Sequence, residues 1–193
     1  MIQEQPRKFF DQRIQAESVF VQAGHHHVQN GGPGAICTFL GSCVAACIRD
    51  SELGIGGLNH FLLPTGGNGD QSARYGVNAM ELLINDILRL GATKERLEAK
   101  IFGGASVMAT SSADPIGQQN GRFVQQYLND EGIPILATDL GGTRARRVYF
   151  FPETGRASIL HVAPADSQEV ERKDAELRKQ ATTAASPGGV ELF

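Results

Sequence analysis

The sequence has no excess of basic residues, no long hydrophobic run and too few cysteines for a disulfide framework. It carries 18 Lys and Arg against 21 Asp and Glu over 193 residues, a net charge of −3. A chain that lacks a basic patch has no electrostatic footprint for nucleic acid or acidic membrane. Its longest apolar stretches, such as Ile55–Pro64, are too short and too interrupted to cross a bilayer. The opening segment MIQEQPRKFFDQRIQAE mixes charges of both signs and lacks the apolar centre of a secretory signal. The three cysteines, Cys37, Cys43 and Cys47, are odd in number, so reduced thiols in a cytoplasmic protein are expected. Their spacings do not match the close cysteine pairs of structural zinc sites. The GGAS string at 103–106 is too poor in glycine for a phosphate-binding loop. No internal repeat is found.

What is present is ordinary globular composition, 41% hydrophobic and 20% charged, enough for one domain with a core of its own. The pattern places a peripheral N-terminal segment at 1–30, a single domain over 1–162 and a charged extension at 163–193. AICTFL (35–40), VAACI (44–48) and IGGLNHFLL (55–63) read as buried strands, the last closed by Pro64 and the glycine-rich TGGNGD at 65–70. The Gly56-Gly57 pair marks a bulge or a close backbone approach. Residues 76–90 form the clearest helix, with Val77, Met80, Ile84, Ile87 and Leu88 on one face and Gly91 as the stop. LEAKIF (97–102) alternates as a half-buried strand, and a second helix covers about 118–130. IPILAT (133–138), RARRVYFF (144–151) and ASILHV (157–162) complete the strands, the last two joined by the hairpin loop PETG. Strands first, then strands and helices without regular alternation, favour an α+β fold.

The chemistry concentrates between Thr38 and His60. Cys43 follows the tight Gly41-Ser42 pair in TFLGSCVAAC, where backbone amides lie close and no bulky neighbour obstructs the thiol. A thiol with a free pKa of about 8.5 is a poor nucleophile at neutral pH unless a base removes its proton. His60, on the next strand, is the candidate base. A turn at RDSELG (49–54) makes the two strands antiparallel and brings Cys43 and His60 almost opposite one another. Thr38 is the local candidate to orient the imidazole, and amides near Gly41, Ser42 and Cys43 are candidates for an oxyanion hole. Side chains alternate along a strand, so a one-residue shift puts Cys37 at the site instead of Thr38. The plainer alternatives are a small buried cysteine and a satisfied core histidine, and Cys37 and Cys47 are read that way. His25-His26-His27 is contiguous, which in a strand splays alternate rings apart, so a solvated or half-buried segment is favoured over a metal site. Arg144 and Arg146 share a strand face, either solvated or facing an acidic partner. The charged tail SQEVERKDAELRKQ has too few apolar residues for a wide buried stripe, so a solvated helix is expected there.

The strings TFLGSCVAACIRD and GIGGLNHFLLP resemble the chemoreceptor glutamine deamidase family, CheD. EAKIFGGASVM (98–108), IGQQNGRFVQQYL (116–128) and GIPILATDLGGTRARRVYFFPETG (132–155) extend the resemblance over residues 20–162. It implies Cys43 as nucleophile, His60 as base and Thr38 as third member, with Ser42, Gly41 and Ser106 as possible support. It also implies two packed mixed β-sheets flanked by helices in α/β/β/α layers, similar to the catalytic domain of cytotoxic necrotizing factor-type toxins. The implied activity converts glutamines of methyl-accepting chemoreceptors to glutamates, with no cofactor and no metal. Its implied partners are the receptors' cytoplasmic helices and a CheC-type phosphatase. The rival readings are a cysteine peptidase or acyltransferase with the same pair, and a non-catalytic adaptor.

Overall fold

A computed structural model describes residues 7–64, 75–108 and 112–184. The predicted loop TGGNGD (65–70) and the end of the tail lie outside the described residues. Two five-stranded mixed sheets carry the fold. One runs in the order β1 (Arg7–Asp11), β2 (Ala16–Phe20), β4 (Ala35–Leu40), β9 (Arg146–Phe151), β10 (Arg156–His161). The other runs β3 (His25–Asn30), β6 (Ile55–His60), β5 (Val44–Asp50), β7 (Leu97–Gly103), β8 (Ile135–Leu140). Each sheet has one parallel pair, β2 with β4 and β7 with β8, among antiparallel neighbours. The α+β reading holds, with α1 (Gly76–Arg89), α2 (Ile116–Asp130) and α3 (Pro164–Ala184) as the helices.

The alternation of side chains distributes the core. On the inner face, Cys43, Ala45, Cys47, Leu58, Leu62 and Phe102 pack against Ile36, Leu40, Val148 and Phe150 of the facing sheet. On its other face the second sheet presents Val44, Ala46, Ile48, Leu97, Ala99 and Ile101 to α1 and α2. The buried stripe of α1 is Ala79, Met80, Leu83, Ile84 and Ile87. Val77, expected on that stripe, is instead 39% exposed, because it lies one position off the row that meets the sheet. Gly91 ends the helix in the left-handed region at φ 104, as its position predicts. Gly56 and Gly57 are close approaches: a Cβ on Gly57 would lie 2.4 Å from the His27 carbonyl oxygen.

Two segments differ from expectation. Residues 7–30, read as peripheral, supply three strands. β1 and β2 bring Phe9, Ala16 and Phe20 against Cys37, Tyr149 and Phe151 on the far face of the first sheet. Their buried set is short, and charged residues interrupt it, which hides the strand signal. The tail, expected to be a solvated appendage, is helix α3, and one of its faces is buried. Ser167 anchors its start, with Oγ accepting from the Ala145 N–H and donating to the Val162 carbonyl. Tyr75 donates to the Ala181 carbonyl near its other end, at 3.3 Å. No described helix is long and apolar enough to cross a membrane.

Candidate active site

Cys43 sits in the loop between β4 and β5, which belong to different sheets, so the Gly41-Ser42 turn carries the chain across the core. The 41–43 loop is held from below. Gly104 N–H donates to the Cys43 carbonyl at 2.7 Å and Ala105 N–H to the Gly41 carbonyl at 2.9 Å. Asn120, fully buried on α2, donates to the carbonyls of both Ser42 and Leu62 at 3.1 Å. With the carbonyls occupied on that side, the N–H groups of Gly41 and Ser42 point to the other.

His60 closes β6. β5 and β6 are antiparallel as expected, with Cys47 paired to Leu58 and Val44 bridged to Phe61. In that register Cys43 and His60 are diagonal neighbours on the inner face, not directly opposite. A cysteine and a histidine can still meet across such a diagonal. Cys43 Sγ, a His60 ring nitrogen and an Asp174 carboxylate oxygen all lie within 4.8 Å of one another, and all three residues are buried.

Thr38 lies on the inner face with Ile36 and Leu40, while Cys37 faces the opposite way. Its hydroxyl donates to the Val21 carbonyl at 2.8 Å and lies 2.8 Å from His60 Nδ1. Since the hydroxyl proton is committed to Val21, Nδ1 must be the donor in the second contact. The neutral ring therefore carries its proton on Nδ1 and its lone pair on Nε2, which has no hydrogen-bond partner among the described residues. Burial, with the nearby His25, pushes the imidazole pKa down to about 3. Cys43 is pushed up, first by burial and then by the Asp174 charge and its hydrogen bond. Burial also pushes the Asp174 carboxyl up to about 6.

The remaining side of the site is α3. Ser42 N–H donates to Glu171 Oε2 at 2.9 Å and Ser42 Oγ to Glu171 Oε1 at 3.0 Å. Gly41 N–H donates to Asp174 Oδ2 at 3.3 Å. Arg178 binds Glu171 Oε1 at 2.7 Å and Ser42 Oγ at 2.6 Å, and its Nη1 is 4.0 Å from Cys43 Sγ. Cys43, His60 and Asp174 have the donor types of a zinc site. The guanidinium so close to sulfur sets a positive charge against a second cation there. A groove of about 740 Å³ reaches the site between α3 and the first sheet, lined by His60, Val21, Phe39, Asp174 and Leu177. Cys43 does not line it and is 0% exposed.

The other predicted residues fall as follows. Ser106 follows the Gly103–Ala105 turn against the cysteine loop, with its N–H on the Gly142 carbonyl. Among the described residues its hydroxyl has no hydrogen bond to Cys43 or His60. Cys37 and Cys47 are buried free thiols with raised pKa values, mainly from burial. Arg146 is no docking residue. It is buried, and its guanidinium is held by the Asp139 side chain and by the carbonyls of Asp139 and Gly141, while Arg144 is exposed. His26 binds Asp86 at 2.8 Å rather than joining its neighbours. Asn120, Glu171, Asp174 and Arg178 escaped the sequence reading. The signal was a polar stripe, Ser167, Glu171, Asp174, Arg178, at helical spacing in the tail.

A family model described as CheD chemotactic sensory transduction matches residues 62–161, beginning just beyond His60. A protein of Xanthomonas campestris pv. campestris (strain B100), named probable chemoreceptor glutamine deamidase CheD, is 52% identical over 160 residues, covering 82% of this chain and 81% of its own length. A Stenotrophomonas maltophilia (strain K279a) protein of the same name is 51% identical over the same shares. A Bordetella petrii protein, again so named, is 45% identical over 97% of this chain and 87% of its own, a match that runs through α3.

Proposed function

The chain belongs to the CheD family, and we propose that it hydrolyses glutamine side-chain amides of chemoreceptors with Cys43 as nucleophile, His60 as base and Thr38 as the group that orients His60. The names of its relatives supply the substrate class. The observation that carries the mechanism is the Val21–Thr38–His60 chain of hydrogen bonds, which leaves an unprotonated Nε2 beside the cysteine.

In the reaction His60 Nε2 takes the thiol proton, and the thiolate attacks the glutamine carboxamide carbon. The negative charge moves to the amide oxygen, which the N–H groups of Gly41 and Ser42 are placed to receive. The imidazolium formed keeps its Nδ1–H on Thr38 and delivers the Nε2 proton to the leaving nitrogen, so ammonia departs and a thioester remains. Water, deprotonated by Nε2, then attacks the thioester, the thiolate is released and the side chain leaves as glutamate. No step requires a metal or cofactor. The cytoplasmic helices of receptors are the partners this reaction needs, which places the protein in the cytoplasm. A CheC-type phosphatase is a further partner to be sought by co-purification. The catalytic unit is residues 1–162, with α3 added across its site.

Peptide mapping of a receptor cytoplasmic fragment, incubated with wild type or Cys43→Ala, tests the reading. Conversion of defined glutamines to glutamates by wild type alone supports it. Peptide-bond cleavage would favour a peptidase, and identical receptor modification by both proteins would favour an adaptor.

A further inference from the structure

We propose that α3 is a built-in stand-in for the substrate helix: its Glu171 and Asp174 carboxylates occupy the amide-binding part of the site, and α3 must leave before a receptor glutamine can reach Cys43. The inference rests on the deamidase reading for the identity of the substrate, but not for the displacement itself.

Three observations carry it. First, the two N–H groups best placed to stabilise an oxyanion are not free. Ser42 N–H is given to Glu171 and Gly41 N–H to Asp174, so a carboxylate sits where the reacting carbonyl oxygen would lie. Second, no room is left for another ligand. A Cβ on Gly41 would stand 2.6 Å from Glu171 Oε2 and 3.1 Å from Asp174 Oδ2, and Cys43 is fully buried. Third, the acids are presented by a helix. A carboxylate offered from a helix is the form of the product, glutamate on a receptor helix, so α3 docks as product would.

The composition of the docked face explains why this contact can open. Ser167, Glu171, Asp174 and Arg178 are held by hydrogen bonds and ion pairs, which water can replace on release, and few large apolar side chains are buried with them. Arg178 lies on the same helix and pairs with Glu171 at 2.7 Å, so the acid's counter-ion is not left behind in the site when the helix departs. The same face would be replaced by one of like size from a receptor helix, with a carboxamide in place of a carboxylate.

The test compares the full chain with Glu171→Ala/Asp174→Ala, with Arg172→Ala, exposed on the same helix, as control. Iodoacetamide labelling of Cys43 is followed by peptide mass mapping, with buried Cys37 and Cys47 as internal references. Each charge-assisted hydrogen bond lost shifts the docking equilibrium by about tenfold or more, so labelling of Cys43 and deamidation of a receptor fragment should both rise at least about tenfold. Unchanged labelling overturns the proposal. Rapid labelling with no conversion of a receptor fragment that binds would leave the displacement standing and remove the deamidase reading. Equal conversion by wild type and variant with equal labelling would do the reverse. Hydrogen exchange on the wild-type chain tests the displacement without any substitution. A receptor fragment shown by a pull-down to bind, added at saturation, should strip protection from amides 164–184, and protection retained in full with the fragment bound refutes it.

Discussion

Replacing Thr38 with Val probes the link that sets the histidine's chemistry. Val has the shape of Thr, so the packing against Ile36 and Leu40 is kept and only the hydroxyl is lost. Thr38 is fully buried, and two partners lose their bond, the Val21 carbonyl and His60 Nδ1–H. Each buried group left unpaired costs about 1–3 kcal/mol, so stability should fall by about 2–6 kcal/mol. The catalytic cost is separate. In the transition state the ring is an imidazolium, and its Nδ1–H bond to a hydroxyl is charge-assisted, worth about 1.5–3 kcal/mol. Only its excess over the neutral bond already made before attack, about 1–1.5 kcal/mol, enters the barrier, so kcat falls by about 5- to 13-fold. KM should hardly move, because Thr38 lies behind the ring and away from the bound amide. Thr38→Ser restores the hydroxyl and should recover most of kcat. Ammonia release from a receptor fragment, followed across substrate concentration at a temperature where each variant is folded, measures these quantities. A Thr38→Val enzyme with kcat within about threefold of wild type would refute the role given to the hydrogen-bond chain.

Three further predictions rest on the scaffold. Asp50 is fully buried, and although burial alone would raise its pKa, Arg96 and the N–H groups of Glu52, Leu53 and Thr93 hold the carboxyl well below the usual range. Asp50→Ala should cost about 2–3 kcal/mol, less than a wholly buried pair because Arg96 can rehydrate, as read by urea denaturation. Since the folded pKa is the lower one, this stabilisation is present above the unfolded value of about 4 and is lost as pH falls below it, so wild type and variant should converge in acid. Gly57→Ala should lower stability by at least about 2 kcal/mol, because its Cβ meets the His27 carbonyl oxygen of the neighbouring strand; a melt unchanged from wild type would contradict the close approach. Asn120→Ala leaves the Ser42 and Leu62 carbonyls unpaired, and it should lower kcat by at least about tenfold through the 41–43 loop while circular dichroism stays native.

The inner strands were legible because their runs are dense and bounded by glycine and turn residues, and the nearness of Cys43 to His60 was legible because the two residues flank one antiparallel turn. Parity within β4 was not. Ile36 and Leu40 compete with Cys37 and Phe39, all apolar, since the strand is covered on both faces, so hydrophobicity cannot say whether Thr38 or Cys37 meets His60. The two-residue offset between Cys43 and His60 depends on where the 49–54 turn is centred, which Asp50 fixes through its hydrogen bonds to Glu52 and Leu53. Arg146 read as a surface charge because its partner, the Asp139 segment, comes from a strand of the other sheet. The burial of α3 is hidden in the sequence for a related reason. A search for buried helices looks for apolar stripes, and α3 buries a polar one whose partners are backbone N–H groups.

These partners give the resting site its electrostatic character. Thiol attack needs a thiolate beside an imidazolium, yet burial pushes Cys43 up and His60 down, and the Asp174 carboxylate adds repulsion against a thiolate. With α3 docked, the neutral thiol and neutral ring are the favoured pair. A carboxamide in the same place brings no charge, so exchanging α3 for a receptor glutamine removes the Asp174 and Glu171 repulsion, together with the smaller opposing pull of Arg178, at the moment the substrate carbonyl arrives. The thiolate is thus disfavoured while the helix's own acids fill the site and becomes accessible when an amide replaces them. Hydrolysis turns that amide into a carboxylate and restores the repulsion, which favours departure of the product and return of α3.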